Sequence, residues 1–241
     1  MRIYRKWLET TVNKNYSEMG LDMRPMGKPK KGFEKRYTQI FNIVSGKEKQ
    51  ELSIFDKLKG KKLKSKDELL QEWFANQIQS YETIKAPKVG RDQEADEWMK
   101  KNYDETVHKI SLEEFMAEQK DYYVIELAKE KDGVPIYKAF GQDENVLRGE
   151  FLRGCVDIIG KELVAEAWGT KLADETLDYG RRLSNAADEI AKKHNLEHLK
   201  TQRNAPDDDS NAIANKLHIV YSVAKWLIFY GKNGHGYEAD F

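Results

Sequence analysis

The densest apolar run in the chain lies near its end, at residues 211–230. One set of apolar side chains recurs at steps of three and four residues, which places it along one face of an α-helix. A second set covers most of the remaining circumference, as is typical of a helix buried on nearly all sides. The first set is Ile213, Leu217, Val220, Tyr221, Ala224, Leu227 and Ile228, and the second is Ile219, Val223, Trp226, Phe229 and Tyr230. The pattern predicts a core helix around which the rest of the chain packs.

A membrane span is the alternative explanation of this run, because about 20 apolar residues are enough to cross a bilayer. Polar and charged residues interrupt the run, however, and a charge at the depth of the bilayer core is energetically costly. The interruptions are Asn215, Lys216, His218, Ser222 and Lys225. We therefore expect a buried helix of a globular protein and no association with a membrane.

Composition agrees with a globular protein of one large domain or two small ones. The chain has 241 residues, of which 39% are apolar and 34% charged, a polar balance that still lies outside the disordered class. Its single cysteine, Cys155, excludes an internal disulfide framework and a multi-cysteine zinc site. Residues 1–10 carry four charged side chains, which do not fit a hydrophobic signal segment. We expect a reducing, cytoplasmic location.

Two segments are predicted to form β-hairpins. From Tyr122 to Phe140, two apolar runs flank the pair Asp132 and Gly133, which suits a type I′ turn because both central residues need positive φ. A second hairpin is predicted near residues 36–56, where apolar residues alternate on either side of a Ser-Gly pair. An isolated hairpin is only marginally stable in water, so we expect the two hairpins to share one small antiparallel sheet.

Most of the remaining chain is predicted to be helical. Capping boxes mark two helix starts, Ser65 with Glu68 and Ser111 with Glu114, because the serine and the acid three residues later satisfy exposed backbone amides. Gly160 predicts either a close helix contact or a kink. The predicted helical segments are residues 65–86, 93–107, 111–116, 144–168, 171–194 and 211–230.

Together these elements predict an α+β protein, in which a small antiparallel sheet packs on a mainly helical C-terminal half. Charge and pattern divide the chain into residues 1–120, a mixed region of uneven charge, and residues 121–241, a hairpin followed by three helices. A single continuous domain is the alternative.

The balance of acidic and basic residues hides an uneven distribution. Residues 24–66 contain fourteen Lys and Arg against four Asp and Glu, whereas residues 91–118 contain nine acids against four bases. Such asymmetry indicates an electrostatic partner or docking between the two segments. The simpler alternative is a solvated surface that is rich in lysine.

The lysine-rich segment is the strongest functional signal in the sequence. Its cations could neutralise several phosphates, and the aromatic ring of Phe33, Tyr37, Phe41 or Phe55 could stack on bases. Arginine is scarce there, and lysine lacks the bidentate geometry that reads base edges, so sequence-specific recognition of nucleic acid would be poor. The candidate residues for binding a partner protein or nucleic acid are Lys28, Lys30, Lys31, Lys35, Arg36, Lys59, Lys61, Lys62 and Lys64.

Histidine and cysteine offer weaker signals for chemistry. His194 and His198 are four residues apart, but Asn195 predicts a helix end between them, so a shared helical face is not expected. His218 in the core helix and Cys155 on an apolar face each fit a buried structural role better than a catalytic one.

Two further runs resemble binding motifs without matching them. Residues 207–209 are three Asp in a row, but adjacent carboxylates point in different directions, so capping of the next helix is favoured over a metal site. The glycine-rich residues 231–236 follow a helix, whereas a phosphate loop precedes one, so they predict a helix cap and a tail. The sequence assigns no catalytic residue, cofactor or metal.

Three functional hypotheses follow. The favoured one is a non-enzymatic macromolecular interaction protein, such as an accessory, inhibitor or immunity-type factor, that binds another protein through its charged surface. The second is a nucleic-acid-binding protein that uses residues 24–66, which salt-dependent binding to DNA or RNA would distinguish. The third is an enzyme with a site near His218, for example with Tyr221 and a carboxylate. The sequence leaves the oligomeric state open.

Overall fold

The structure is a computed structural model, and it describes residues 20–52, 55, 58–60, 62–124, 127, 146–202, 204–206 and 211–241. Contacts within the chain group these residues into two compact units. The first, Gly27–Ile78, is called the lysine-rich unit. The second, called the helical unit, comprises Gly20–Met26 and Gln79–Phe241. The predicted division at residue 120 follows composition rather than contacts and stays a prediction.

The described residues form an α+β fold, as the sequence predicts. The helices, in chain order, are α1 (Glu34–Val44), α2 (Lys66–Ala75), α3 (Ser80–Ile84), α4 (Gln93–Asn102), α5 (Glu105–His108), α6 (Leu112–Glu118), α7 (Val156–Glu166), α8 (Ala173–His194) and α9 (Ala212–Lys232). The strands are β1 (Asp22–Pro25), β2 (Lys28–Pro29), β3 (Gln77–Ile78), β4 (Leu147–Arg148) and β5 (Tyr237–Asp240). Short 3₁₀ helices span Gly149–Cys155 and Glu197–Lys200.

A three-stranded antiparallel sheet joins distant parts of the helical unit. Strand β1 is central and pairs with both β4 and β5. In the middle of the sheet, Met23 lies between Leu147 and Ala239, and all three side chains are buried. The predicted antiparallel sheet is therefore present, although it is built from other strands. The hairpin predicted from Tyr122 to Phe140 lies mostly outside the described residues and stays a prediction.

The hairpin predicted near residues 36–56 is wrong, because its first strand is helix α1. The apolar residues of this segment fit a helical period as well as an alternating one, so the local pattern does not decide between them. Packing decides for the helix: the rings of Tyr37 and Trp73 stack with their centroids 4.6 Å apart. Trp73 Nε1 also donates a hydrogen bond to the Tyr37 carbonyl oxygen at 3.2 Å. The buried residues of α1 are Tyr37, Ile40, Phe41 and Val44.

Local signals place several helix ends correctly. Both predicted capping boxes are present, at the start of α2 and of α6. Helix α8 ends at His194, and Asn195 adopts the left-handed conformation with φ 56°. Gly160 interrupts α7 with φ 80°, which confirms the kink. Helix α2, in contrast, ends before Asn76 rather than near residue 86, because the chain then enters β3 and pairs with β2.

Helix α9 confirms the predicted core helix. Asn211 caps its first turn by accepting a hydrogen bond from Ala214 N at 3.0 Å, and Trp226 and Leu227 are fully buried. Helix α9 packs closely against α8. Gly231 of α9 lies so near Leu177 of α8 that a Cβ atom added to this glycine would be only 2.7 Å from the Leu177 backbone nitrogen. Among the helices in the described part of the chain, none has the length and apolarity needed to cross a membrane.

Candidate interaction surface

Helices α1 and α2 pack against each other, and two of the predicted binding residues, Lys35 and Arg36, lie in α1. The Tyr37 ring lies between the two helices, and its hydroxyl donates a hydrogen bond to the Gly27 carbonyl oxygen at 2.6 Å. This contact joins α1 to the turn before β2, and burial raises the pKa of the Tyr37 hydroxyl well above its usual value. The Tyr37 ring therefore packs α1 against α2 and against the turn before β2.

An ion-pair network crosses this framework and uses two of the predicted binding residues. The Arg36 guanidinium donates two parallel hydrogen bonds to Glu72, from Nε to Oε1 and from the second amino group to Oε2, each at 2.9 Å. Lys64 Nζ donates to the same Oε2 atom at 2.9 Å. Bidentate pairs of this kind have a fixed geometry and are stronger than single contacts. Arg36 and Lys64 therefore hold α1, α2 and the segment before α2 together.

The network changes the acidity of Glu72. The hydrogen bonds from Arg36 outweigh the opposing effect of burial and, together with Lys64, lower the pKa of the Glu72 carboxyl from 4.5 to about 2. A carboxyl whose pKa is lower in the folded protein stabilises the fold above its unfolded pKa. That stabilisation is lost as the pH falls from about 5 towards 2.

We expect Glu72→Gln to destabilise the lysine-rich unit by about 1–2 kcal/mol at pH 7, because it removes the acceptor charge of a partly exposed network. The difference from wild type should shrink as the pH is lowered to 3. Hydrogen exchange of the backbone amides of α1 and α2, corrected for the intrinsic rate at each pH, measures both effects. Glu51→Gln, at an exposed carboxyl, is the matched control. A difference that does not change with pH would contradict this assignment.

The other predicted binding residues have different surroundings. Lys30 is exposed, and its Nζ donates to the Ala75 carbonyl oxygen at 2.8 Å, a contact that closes the end of α2. Lys28 lies in β2 and is half-buried. Lys61 lies outside the described residues. The exposed predicted lysines whose side chains make no hydrogen bond or ion pair within the described part of the chain are Lys31, Lys35, Lys59 and Lys62.

Large apolar side chains accompany these lysines. Phe55 is 76% exposed, Leu58 is 80% exposed and Leu63 is 53% exposed. Of the rings that the sequence offers for base stacking, Tyr37 and Phe41 are buried in α1, whereas Phe55 is accessible. We define the lysine-rich surface as Lys31, Lys35, Lys59, Lys62, Phe55, Leu58 and Leu63.

The two leucines are the members of this surface that sequence reasoning misses. The sequence does contain a signal for their exposure. Residues 57–66 include six lysines and no acids, so Leu58 and Leu63 are not part of an apolar stripe that a helix could bury. The number of lysines predicts only that the surface is positively charged. The exposure of Leu58 and Leu63 makes it amphipathic, which a count of charges does not indicate.

The glycine-rich end of the chain has a structural role that differs from the predicted tail. His235 is fully buried, and its Nδ1 donates to the Met26 carbonyl oxygen at 2.8 Å. Its Nε2 lies 2.7 Å from Thr83 Oγ1. The residues that follow form strand β5 of the sheet. This histidine therefore ties the end of α9 to β1 and α3 instead of leading into a solvated tail.

Cys155 and His218 remain as the other candidates for chemistry. Cys155 is fully buried, and burial raises the pKa of its thiol to about 11, which makes it a poor nucleophile. His218 is half-buried on α9, and Tyr221 donates its hydroxyl to Asp188 Oδ1 at 2.9 Å. No described group of three or more His, Cys, Asp or Glu residues could hold a metal ion, and residues 207–209 lie outside the described chain.

Comparison with protein-family models, with curated proteins and with solved structures finds no match to this chain.

Proposed function

We propose that this chain is a non-enzymatic interaction protein that binds an acidic protein through its lysine-rich surface. The observation that supports the proposal is the exposure of Phe55, Leu58 and Leu63 among lysines whose charges are not neutralised within the described part of the chain. The three lie within nine positions of the sequence and are interspersed with lysines, and an apolar patch bordered by charged residues is typical of binding sites. The surrounding lysines accelerate and orient the approach of an acidic partner.

The leucines favour a protein over a nucleic acid as the partner. Burial of one leucine side chain contributes about 1.5–3 kcal/mol, but a partner must offer apolar groups for that gain. Nucleic acids offer phosphates and flat bases, and a leucine cannot stack on a base as an aromatic ring does. A protein with carboxylates around an apolar patch satisfies both Leu58 and the lysines beside it.

A single-stranded nucleic acid is the second candidate, and the accessible ring of Phe55 favours it. Stacking of one base on an aromatic ring contributes about 1–3 kcal/mol, and lysines can neutralise the adjacent phosphates.

The proposal also includes a reducing, cytoplasmic compartment, since the single cysteine is buried and available to no disulfide partner within the chain.

Affinity capture from native lysate, with and without nuclease, tests the proposal with four baits. Wild type should retain an acidic protein whether or not nuclease is present. For the purified partner, Lys59→Glu with Lys62→Glu should raise the dissociation constant about tenfold or more, because attraction becomes repulsion. Leu58→Ser should raise it about five- to tenfold through the loss of apolar burial.

Lys192→Glu with Lys193→Glu supplies the matched control, because it makes the same change of charge at exposed positions of α8. This bait should bind within about twofold of wild type if the effect is local to the lysine-rich surface. Equal loss of binding in the control would show a response to net charge and would contradict the proposal. Retention that disappears with nuclease, together with salt-dependent binding of labelled oligothymidine, would replace the protein partner with nucleic acid.

A further inference from the structure

A second basic feature lies in the helical unit, on helix α9. His218, Ser222 and Lys225 follow each other at steps of four and three residues, which places them on one face of the helix. We call these three residues the α9 basic stripe. Within the part of the chain that the structure describes, neither His218 Nδ1 nor Ser222 Oγ has a hydrogen-bond partner, although both atoms are buried. Buried side-chain polar atoms are usually hydrogen-bonded, so two neighbouring exceptions need an explanation.

Lys225 adds a positive charge without an acidic partner. Its Nζ donates a hydrogen bond to the Gln202 carbonyl oxygen at 2.9 Å, and no carboxylate of the described chain pairs with it. Burial lowers the pKa of the Lys225 ammonium. Burial also lowers the pKa of the His218 imidazole, and the charge of Lys225 lowers it further, which shows that the two groups interact. A half-buried cation is costly without a counter-charge.

The nearby acids that the structure describes, Asp188 and Glu197, do not supply that counter-charge. Asp188 on α8 accepts a hydrogen bond from the Tyr221 hydroxyl at 2.9 Å and one from Lys200 Nζ at 2.6 Å, so both of its oxygens are engaged. Glu197 is exposed to solvent, and its charge raises the pKa of Tyr221. Among the described residues, then, no carboxylate pairs with the α9 basic stripe, and two of its polar atoms, His218 Nδ1 and Ser222 Oγ, have no hydrogen-bond partner.

We propose that the α9 basic stripe binds a small oxyanion, the phosphate or carboxylate group of a ligand. Lys225 supplies the charge, the Ser222 hydroxyl donates to one oxygen, and the His218 Nδ1–H donates to another. A hydrogen bond to a charged group is stronger than one between neutral groups, so an oxyanion satisfies both orphaned atoms better than water does. The site is independent of the lysine-rich surface and of its partner.

Histidine NMR provides a direct test with inorganic phosphate as the probe. The imidazole resonances are followed against pH in phosphate and in chloride at equal ionic strength, and His218→Gln assigns the His218 signal. An anion in contact with the imidazole favours its charged form, so phosphate should raise the His218 midpoint by roughly one pH unit. The exposed His194 and His198 serve as internal controls, and their midpoints should coincide in the two salts.

Variants and a second probe complete the test. Lys225→Met should abolish the phosphate-dependent shift, whereas Lys216→Met, on the same helix but paired with Asp157, should leave it intact. Ser222→Ala should weaken phosphate binding about three- to tenfold. Acetate in place of phosphate shows whether carboxylates are accepted as well. Equal His218 midpoints in phosphate, acetate and chloride, or equal shifts of all the exposed histidines, would overturn the proposal.

Discussion

Replacement of Trp226 by alanine should lower the free energy of unfolding of the helical unit by about 3–5 kcal/mol, the range found for large aromatic residues in protein cores. Trp226 is fully buried in α9. Its ring lies 4.7 Å from that of Tyr230 and 6.4 Å from that of Tyr237, so the alanine variant leaves a cavity between α9 and β5. Chemical unfolding followed by far-ultraviolet circular dichroism measures the loss.

Phe151→Ala is the matched control for this prediction. Phe151 is also a large aromatic residue of the helical unit, but its side chain is 61% exposed. Its replacement should change the free energy of unfolding by less than about 1 kcal/mol, because little area leaves water at that position. Equal effects at the two positions would show that α9 is not the centre of the core.

Gly236→Ala should destabilise the helical unit by about 3 kcal/mol, at the upper end of the range for overpacked sites. A Cβ atom at this position would lie 2.1 Å from the Lys171 carbonyl oxygen and 3.0 Å from the Leu172 Cα atom. Both are backbone atoms, which cannot rotate away as a side chain can. The extra methyl group must therefore separate β5 from the start of α8, where Lys171 and Tyr237 exchange two backbone hydrogen bonds of 3.0 Å.

A second glycine provides the comparison for Gly236. Gly154 lies in the 3₁₀ helix Gly149–Cys155 and has no atom within 4 Å of the position that a Cβ would occupy. Gly154→Ala should leave stability unchanged or raise it by up to about 1 kcal/mol, through the lower entropy of the unfolded chain. Thermal unfolding of both variants tests the pair, and a stable Gly236→Ala protein would refute the close contact.

Short-range physics accounts for the features that sequence reasoning predicts well. The capping boxes at Ser65 and Ser111 depend on residues three positions apart, and the stop at Asn195 depends on the ease with which asparagine adopts positive φ. The core helix is also local, because its apolar residues follow a helical period over twenty positions. Each of these signals lies within a single stretch of sequence.

Part of the lysine-rich surface could be predicted because its lysines are close together in the sequence. A count of charges identifies Lys59 and Lys62, which are exposed, but it does not separate them from Arg36 and Lys64, which bind Glu72. That separation depends on helices α1 and α2 lying side by side. The unpaired atoms of the α9 basic stripe are likewise a property of packing, since no pattern in the sequence shows that His218 Nδ1 is buried without a hydrogen-bond partner among the described residues.

The helical core, the helix caps and the uneven charge can all be derived from the amino-acid sequence, because each depends on residues that are neighbours along the chain. The helix Glu34–Val44 depends instead on a contact between separate segments, since its apolar pattern fits two periods and packing against Trp73 selects one. The tertiary structure also decides the sheet, in which Met23 pairs with Ala239 from the far end of the chain. Strand pairing across more than two hundred residues leaves no trace in any local window, so contacts between distant segments had to supply it.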